Sequence, residues 1–505
     1  MAKAEPGWQI IGGGRLTDPA LRRATVADIL IQDGVIREVG ENLTAPEGTK
    51  VVDASACLLH PGLVNAHVHG HGGLGRGQGD RWTLETLLAS APFVGGNRML
   101  RDKRLSTLLC AAEMVAKGCT TAYDLTTEIP LPSIEGLDAA ADAYATVGMR
   151  AVIAPMVADR SLYEAIPGLL DALPDPLRRE AEKMKLRPWQ ETLAVMEAAL
   201  RGWRWGAEDI RFAVAPTIPH HCTREFLCGC RDLARKYELG VQTHVAESKV
   251  QALVGMQSYG MTLTQYMDSL GLVGPQFTVA HGVWLDDDDL RLLADRGASV
   301  AHNPASNMKL GNGMFRLKRA LDLGVNVGLG TDGVTSGDNC NMYEAMRLAA
   351  FTSHVQTPDP KAWASAEQVY RAGTLGSAKA AGFTDIGAIA PGMKADIVFL
   401  DLVKPHWMPH IATLNQMVHA EDATAVRHVM IGGTFVYRDG RHTLFDLSKL
   451  VDEAEEARAR LEAAAVDQKA LFDLLEPVVA SFCSGLAARP YHLSRYMCDT
   501  PNSGV

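Results

Sequence analysis

The 505-residue sequence has no excess of basic charge: 49 lysines and arginines face 59 aspartates and glutamates, a formal net charge of -10, and no basic stripe is visible. Phosphate binding draws on such a stripe, so a nucleic-acid partner is not expected and a small-molecule substrate fits better. Cysteine is sparse. There are nine, an odd number, scattered except for Cys228 and Cys230. Neither a zinc knuckle nor a disulfide framework is implied, and reduced thiols are expected. No window holds ~18 uncharged apolar residues. The opening MAKAEPGWQIIGGGRL shows no apolar stretch followed by a small-residue cleavage site. A cytoplasmic protein without a membrane partner is the expectation.

What is present is the material of a large soluble core, with 47% hydrophobic and 21% charged residues. Between residues 58 and 335 a short apolar run, a polar turn and a helical segment recur. The runs are LLHPGLVNAHVH, CTTAYD, RAVIAPM, IRFAVAP, GVQTHVAE, FTVAHGV, ASVAHNP and NVGLGTDG, eight in all. Eight such units predict an α/β fold, a (β/α)8 TIM-like barrel over 58–390, with chemistry at the carboxyl ends of its strands. The flanks differ. ADILIQDGVIREVG, KADIVFLD and VRHVMIGGTFVYRDG alternate in polarity around Asp-Gly turns, which predicts a small composite β-sandwich from 1–57 plus 391–445.

Residues 446–505 read as a helical extension for packing or for contact within a homo-oligomer. The charged, tryptophan-rich stretch Pro174–Trp205 is expected to form a helical lid. The run Asp286–Asp289 suits a helix start better than a cation site.

Chemistry concentrates in NAHVHGHGG, which places His67, His69 and His71 within five residues. Alternate residues of a strand share a face, so His67 and His69 project together into the barrel, and His71 joins them only if the strand runs on. His244 in THVAES, His281 in VAHGV and Asp332 in GTDG fall near other strand ends. Three imidazoles and a carboxylate suit one divalent transition metal per chain, zinc first and ferrous iron as the alternative, whereas magnesium and calcium prefer more oxygen ligands.

HPGLVNAHVH, THVAE, VAHGVWL, AHNPASNMKLGNG and GLGTDG resemble, in order and spacing, the amidohydrolase superfamily, in its aminohydrolase and chlorohydrolase branch of S-adenosylhomocysteine, guanine and triazine deaminases. The resemblance spans about residues 20 to 440. It implies one metal held by His67, His69, His244 and Asp332, with Glu247 as proton shuttle and His281 as hydrogen-bond partner of the metal water or the substrate. The reaction it implies is attack of metal-bound hydroxide on an electrophilic ring carbon of a heterocyclic substrate, followed by protonation of the leaving nitrogen.

Other positions carry weaker signals. Arg76 stands at the family's arginine-glycine spacing, where a structural ion pair is an equal explanation. His302 and Asn303 either order the seventh loop or touch substrate, and His71 is a loop residue or a substrate contact. Nucleoside deaminases of the branch carry a histidine in a segment like APHxPYTC; here it reads APTIPHHCT, with Thr217 in its place and His220 and His221 following. That departure, and the absence of the usual tryptophan-leucine helix after the HxH pair, set an adenosine-type substrate in question and leave Thr217 and His220 as candidate substrate contacts. Deamination is the expected reaction. Ring-opening cyclic amidohydrolysis and hydrolytic dehalogenation are its rivals, and a retired scaffold is the remote one.

Overall fold

A computed structural model describes residues 7–17, 24–206 and 208–496. Eight parallel strands form the barrel: β6 (Leu63–His69), β7 (Cys119–Thr127), β8 (Arg150–Val157), β9 (Ile210–Pro216), β10 (Gly240–Val245), β11 (Phe277–His281), β12 (Ser299–His302), and an eighth in two pieces, β13 (Asn326–Leu329) and β14 (Asp332–Gly333). These are the eight runs read from the sequence. The break at Gly330–Thr331 lets the last piece leave β13 and pair with β6, Asp332 opposite Val68, which closes the sheet. Gly330 is obligatory at this crossing, because a Cβ there would lie 2.3 Å from Asn303 Oδ1 and 2.7 Å from the His67 carbonyl.

The terminal segments form a second, nine-stranded sheet, made by β1 (Trp8–Leu16), β2 (Thr25–Gln32), β3 (Val35–Gly40), β4 (Lys50–Asp53), β5 (Cys57–Pro61), β15 (Ile397–Asp401), β16 (Val426–Ile431), β17 (Thr434–Arg438) and β18 (Arg441–His442). Its Asp33–Gly34 and Asp439–Gly440 turns have both central residues at positive φ, the geometry that matches strand twist in two-residue hairpins. Ile11, Ile29, Ile31, Leu59, Ile397 and Phe399 fill its own apolar core. One boundary differs from the sequence reading. The run LLHPGLVNAHVH is two strands, and its first part, β5, pairs with β1 and β15 in the terminal sheet, so the barrel begins at Leu63.

Two further expectations shift. The helix Trp189–Arg201, inside the stretch read as a lid, buries Met196 and Ala199 in the main core and packs against the neighbouring helices Ile134–Val147 and Arg224–Lys236, so it is a barrel helix. The first part of the same stretch does reach the mouth, where Leu177, Ala181 and Met184 join the cluster built by the last helix, Val466–Ala487. Its Phe472, Leu475, Val479 and Cys483 pack on Ala89, Ile166, Leu169, Val250 and Val254, which lie on segments following β6, β8 and β10. By length and composition alone this helix could cross a bilayer, with a mean hydropathy of 1.5 over its most apolar 18 residues, although it contains Asp467, Lys469, Asp473 and Glu476. The run Asp286–Asp289 starts the helix Asp287–Asp295, with Asp286 as N-cap accepting from the Asp289 amide. The eight described cysteines are free thiols.

Candidate metal centre and catalytic site

Strand geometry brings His67 and His69 to one face of β6, and the β6–β14 pairing sets Asp332 beside them. Asp332 Oδ1 lies 3.1 Å from His69 Nε2 and 3.4 Å from His67 Nε2, and His244 Nε2 lies 3.4 Å from His69 Nε2. Ligands of a tetrahedral zinc at 2.0–2.1 Å stand about 3.3 Å apart, so these spacings fit a bound ion.

Proton placement gives the same answer. His69 Nδ1 donates to the Leu125 carbonyl (2.7 Å) and His244 Nδ1 to the Thr217 carbonyl (2.6 Å), and a carbonyl can only accept. His67 Nδ1 faces Gln242 Oε1 at 2.6 Å, with the Gln242 amide nitrogen engaged by the Ala66 carbonyl at 3.1 Å. In its neutral form each imidazole therefore keeps its proton on Nδ1 and turns the Nε2 lone pair inward, the arrangement metal-binding histidines require. His67 Nε2 is buried with no hydrogen-bond partner.

Glu247 and His281 complete the cluster. His281 Nδ1 lies 3.7 Å from Glu247 Oε1, and its Nε2 lies 3.8 Å from Asp332 Oδ2. Burial, with the Asp332 and Glu85 charges adding to it, pushes the Glu247 carboxyl well above its ordinary range. Glu247 Oε1 accepts from Asn312 Nδ2 at 3.0 Å, and Oε2 has no partner. Burial also lowers His281 to about 4, so its ring is neutral near pH 7, with Nδ1 bonded to Asn307 Oδ1 at 2.8 Å. Backbone strain collects here. Ala246, His281 and Asp332 adopt φ of 51°, 71° and 60°, the left-handed region that non-glycine residues avoid and that functional sites retain.

The remaining candidates scatter around this centre. The Thr217 carbonyl orients His244 through both its ring and its backbone amide. His220, 2% exposed, stacks edge-on against His221 and leaves Nδ1 unpartnered. His302 at the end of β12 has neither ring nitrogen bonded, and burial lowers it to about 3; both amide atoms of Asn303 are likewise unpartnered. His71 lies in the turn Gly70–Gly75, its ring 5.4 Å from that of His69 and its Nδ1 accepting from the Thr127 amide at 3.3 Å. Arg76 is paired with Glu113, which also holds Lys117.

The supporting residues Gln242, Asn307, Asn312 and the buried Glu85 did not emerge from the sequence. A signal existed for Gln242, two residues before His244 on the same strand face, and for the two asparagines inside SNMKLGNG. Glu85 lies on the helix Leu84–Val94 and accepts from Ser248 Oγ at 2.7 Å, beside Glu247.

Comparisons with known proteins supply the family. The 5-methylthioadenosine/S-adenosylhomocysteine deaminase of Pyrococcus furiosus is 33% identical over 85% of this chain and 94% of its own. The 5′-deoxyadenosine deaminase of Methanothermobacter thermautotrophicus is 33% identical over 90% and 98%. Among solved structures, a zinc-bound adenosine deaminase from Xanthomonas campestris superposes with a TM-score of 0.80 at 26% identity, covering 91% of this chain and all of that one. Residues 58–436 match the family described as the Amidohydrolase family, and the chain belongs to it.

Proposed function

We propose that the protein is a metal-dependent aminohydrolase that removes an amino group from an electron-poor nitrogen heterocycle and releases ammonia. The observation that carries this reading is the convergence of three inward-turned Nε2 lone pairs and the Asp332 carboxylate beside the buried Glu247, whose Oε2 has no partner. His67, His69, His244 and Asp332 would hold one zinc ion per chain, with ferrous iron the alternative. Such an ion supplies the acidity that makes water nucleophilic at neutral pH.

The chain's own residues do the rest. Glu247, in its ionised form, takes the water proton and returns it to the leaving nitrogen, a role suited to a carboxyl whose proton affinity is raised by burial. His281, neutral and with Nε2 free, would accept a hydrogen bond from the water and so orient it for attack. An amine leaving group needs that proton and a halide does not, so Glu247 favours deamination over dehalogenation.

The names of the relatives make 5′-modified adenosines the first substrates to test, with guanine and aminotriazines beside them. Thr217, His220, His302 and the His71 loop would choose among them, whereas the pairing of Arg76 with Glu113 favours a structural part for it. A homo-oligomer in the cytoplasm completes the proposal. The test is ammonia release and product mass across that panel, with Glu247→Gln as control. The variant should keep its metal and lose at least ~100-fold in turnover. Products 18 mass units heavier than substrate, without ammonia, would replace deamination by ring opening.

A further inference from the structure

We propose that the C-terminal segment Tyr491–Tyr496 is a strap that positions Glu247, with Arg495 as its anchor. The inference rests on the aminohydrolase reading for the role of Glu247, and on this chain's own extension for the rest. The family match ends at residue 436, and the helices Leu450–Ala464 and Val466–Ala487 lie beyond it. After the second helix crosses the mouth, the chain continues to the loops that follow β11 and β12.

Arg495 is 7% exposed, and its guanidinium is spent on backbone carbonyls. Nε donates to Val283 O (2.8 Å), Nη2 to Leu285 O (2.6 Å) and Nη1 to Ser494 O (2.9 Å). Its own carbonyl accepts from the Met314 amide at 3.0 Å. One residue thus grips both loops. Among the described residues no carboxylate lies within ion-pair distance of it, so a charge is kept out of water for the sake of carbonyl contacts.

The gripped loops meet at Trp284 and Asn312. The Trp284 amide donates to Ala246 O at 2.8 Å, its indole N–H donates to Asn312 O at 2.8 Å, and Asn312 Nδ2 donates to Glu247 Oε1. Trp284 is 1% exposed and packs edge-on against the strap's Tyr491 and Tyr496. The strap's path is also sterically defined. Gly313 has φ of +111°, and a Cβ there would meet Arg495 Cβ at 2.9 Å and Arg495 O at 3.0 Å. From Arg495 to the Glu247 carboxylate the contacts form an unbroken run of hydrogen bonds and packed rings. A planar fork matches two carbonyls that flank one tryptophan; an ammonium reaches them only as a point donor.

The test uses the full-length, metal-loaded enzyme with Arg495→Ala and Arg495→Lys, read by turnover, KM, metal content, melting temperature and hydrogen exchange. The alanine variant is expected to lose ~10- to ~100-fold in kcat, the cost of a misplaced catalytic group, with KM within about 3-fold and metal content unchanged. Exchange should rise in 283–286 and 312–315 and not across the barrel. Millimolar guanidinium at constant ionic strength should restore part of the turnover, and the lysine variant should lie between. Unchanged kcat despite faster exchange in those loops would overturn the proposal, as would losses that track metal content and global melting without guanidinium rescue. If the alanine variant fails to fold, the lysine variant decides: full activity in it overturns the anchor role. Wild-type turnover in Glu247→Gln would instead sink the aminohydrolase reading, independently of the exchange data.

Discussion

Replacing Gln242 by leucine should weaken the metal site without touching a ligand. Gln242 is fully buried, and its two amide atoms do different work: Oε1 fixes the proton of His67 on Nδ1, and Nε2 satisfies the Ala66 carbonyl. Leucine fills similar space but leaves the Nδ1–H and that carbonyl unpartnered in a water-poor interior, at a cost of about 1–3 kcal/mol each when no rearrangement rescues them. His67 can then move its proton to Nε2, which removes the lone pair that faces the other ligands. Loss of such a supporting hydrogen bond typically costs 10- to 100-fold in metal affinity, or about 1.4–2.7 kcal/mol. Competition against a chromophoric chelator measures the affinity directly. Melting of metal-free and metal-loaded protein gives a second reading, since an ion that binds only the folded state raises its stability according to its affinity, and the gap should narrow in the variant. A zinc affinity within twofold of wild type would refute the assignment of the His67 proton to Nδ1.

Asp332→Ala should abolish both metal retention and turnover, checked by elemental analysis of the purified variant; full metal content would remove Asp332 from the ligand set. His220→Ala should change KM or substrate ranking more than metal content, since a site built to bond a substrate group rejects analogues lacking it; identical kinetics across the substrate panel would leave His220 a packing residue. Burial, reinforced by Asp286 and Asp288, raises Asp289 to about 7, so the folded protein holds a proton that the unfolded chain releases above pH ~4. That stabilising contribution is complete below pH ~4 and is lost as pH climbs toward 7, at about 1.4 kcal/mol for each tenfold difference in proton affinity between the folded and unfolded chain. Asp289→Asn carries no such proton, so its melting temperature should gain on wild type between pH 5 and pH 8, and a constant difference would show that Asp289 is not raised.

Most of the barrel was legible because its signals are local. Eight β-branched runs with turns between them, and histidines at alternate positions of one run, need no knowledge of distant contacts. Asp332 was readable for a different reason: GLGTDG is a motif, although nothing in its composition says that the strand breaks after Leu329 to bring the carboxylate to β6. The failures share one cause. The Pro174–Trp205 stretch is amphipathic, and amphipathicity gives a buried face without saying which surface covers it; Leu177, Ala181 and Met184 join the cover of the mouth, whereas Met196 and Ala199 face the barrel wall. Val466–Ala487 carried the same ambiguity, since its pattern reads as packing or as an oligomer contact, and the structure shows which surface it packs on. Gln242, Asn307 and Asn312 are uncharged amides, which sequence patterns assign to surfaces or turns by default, and only burial reveals them as the groups that orient His67, His281 and Glu247.

The distribution of unsatisfied polar atoms constrains the substrate further than any single contact. Buried polar groups in folded proteins are nearly all bonded, and exceptions call for an absent partner. Among the described residues such exceptions are spread through the fold, from Gln9 and Thr17 to His442, and one group of them lies near the carboxyl ends of the barrel strands: His220 Nδ1 after β9, Glu247 Oε2 after β10, His281 Nε2 at the end of β11, and His302, Asn303, Ser306 and Asn307 Nδ2 at and after β12. An ion at the four ligands would satisfy only those closest to it. An apolar ligand would leave the rest unpaired and bind at a penalty of order 1–3 kcal/mol for each group it sealed from water. A flat ring with nitrogens on its edge supplies both donors and acceptors in one plane, which is what the histidine, asparagine and serine side chains carried at the ends of β9, β11 and β12 would require of a ligand that reached them. The proposed role of His220 and His302 in specificity follows the same arithmetic, since a centre that activates water would leave the recognition of the ring to its surroundings.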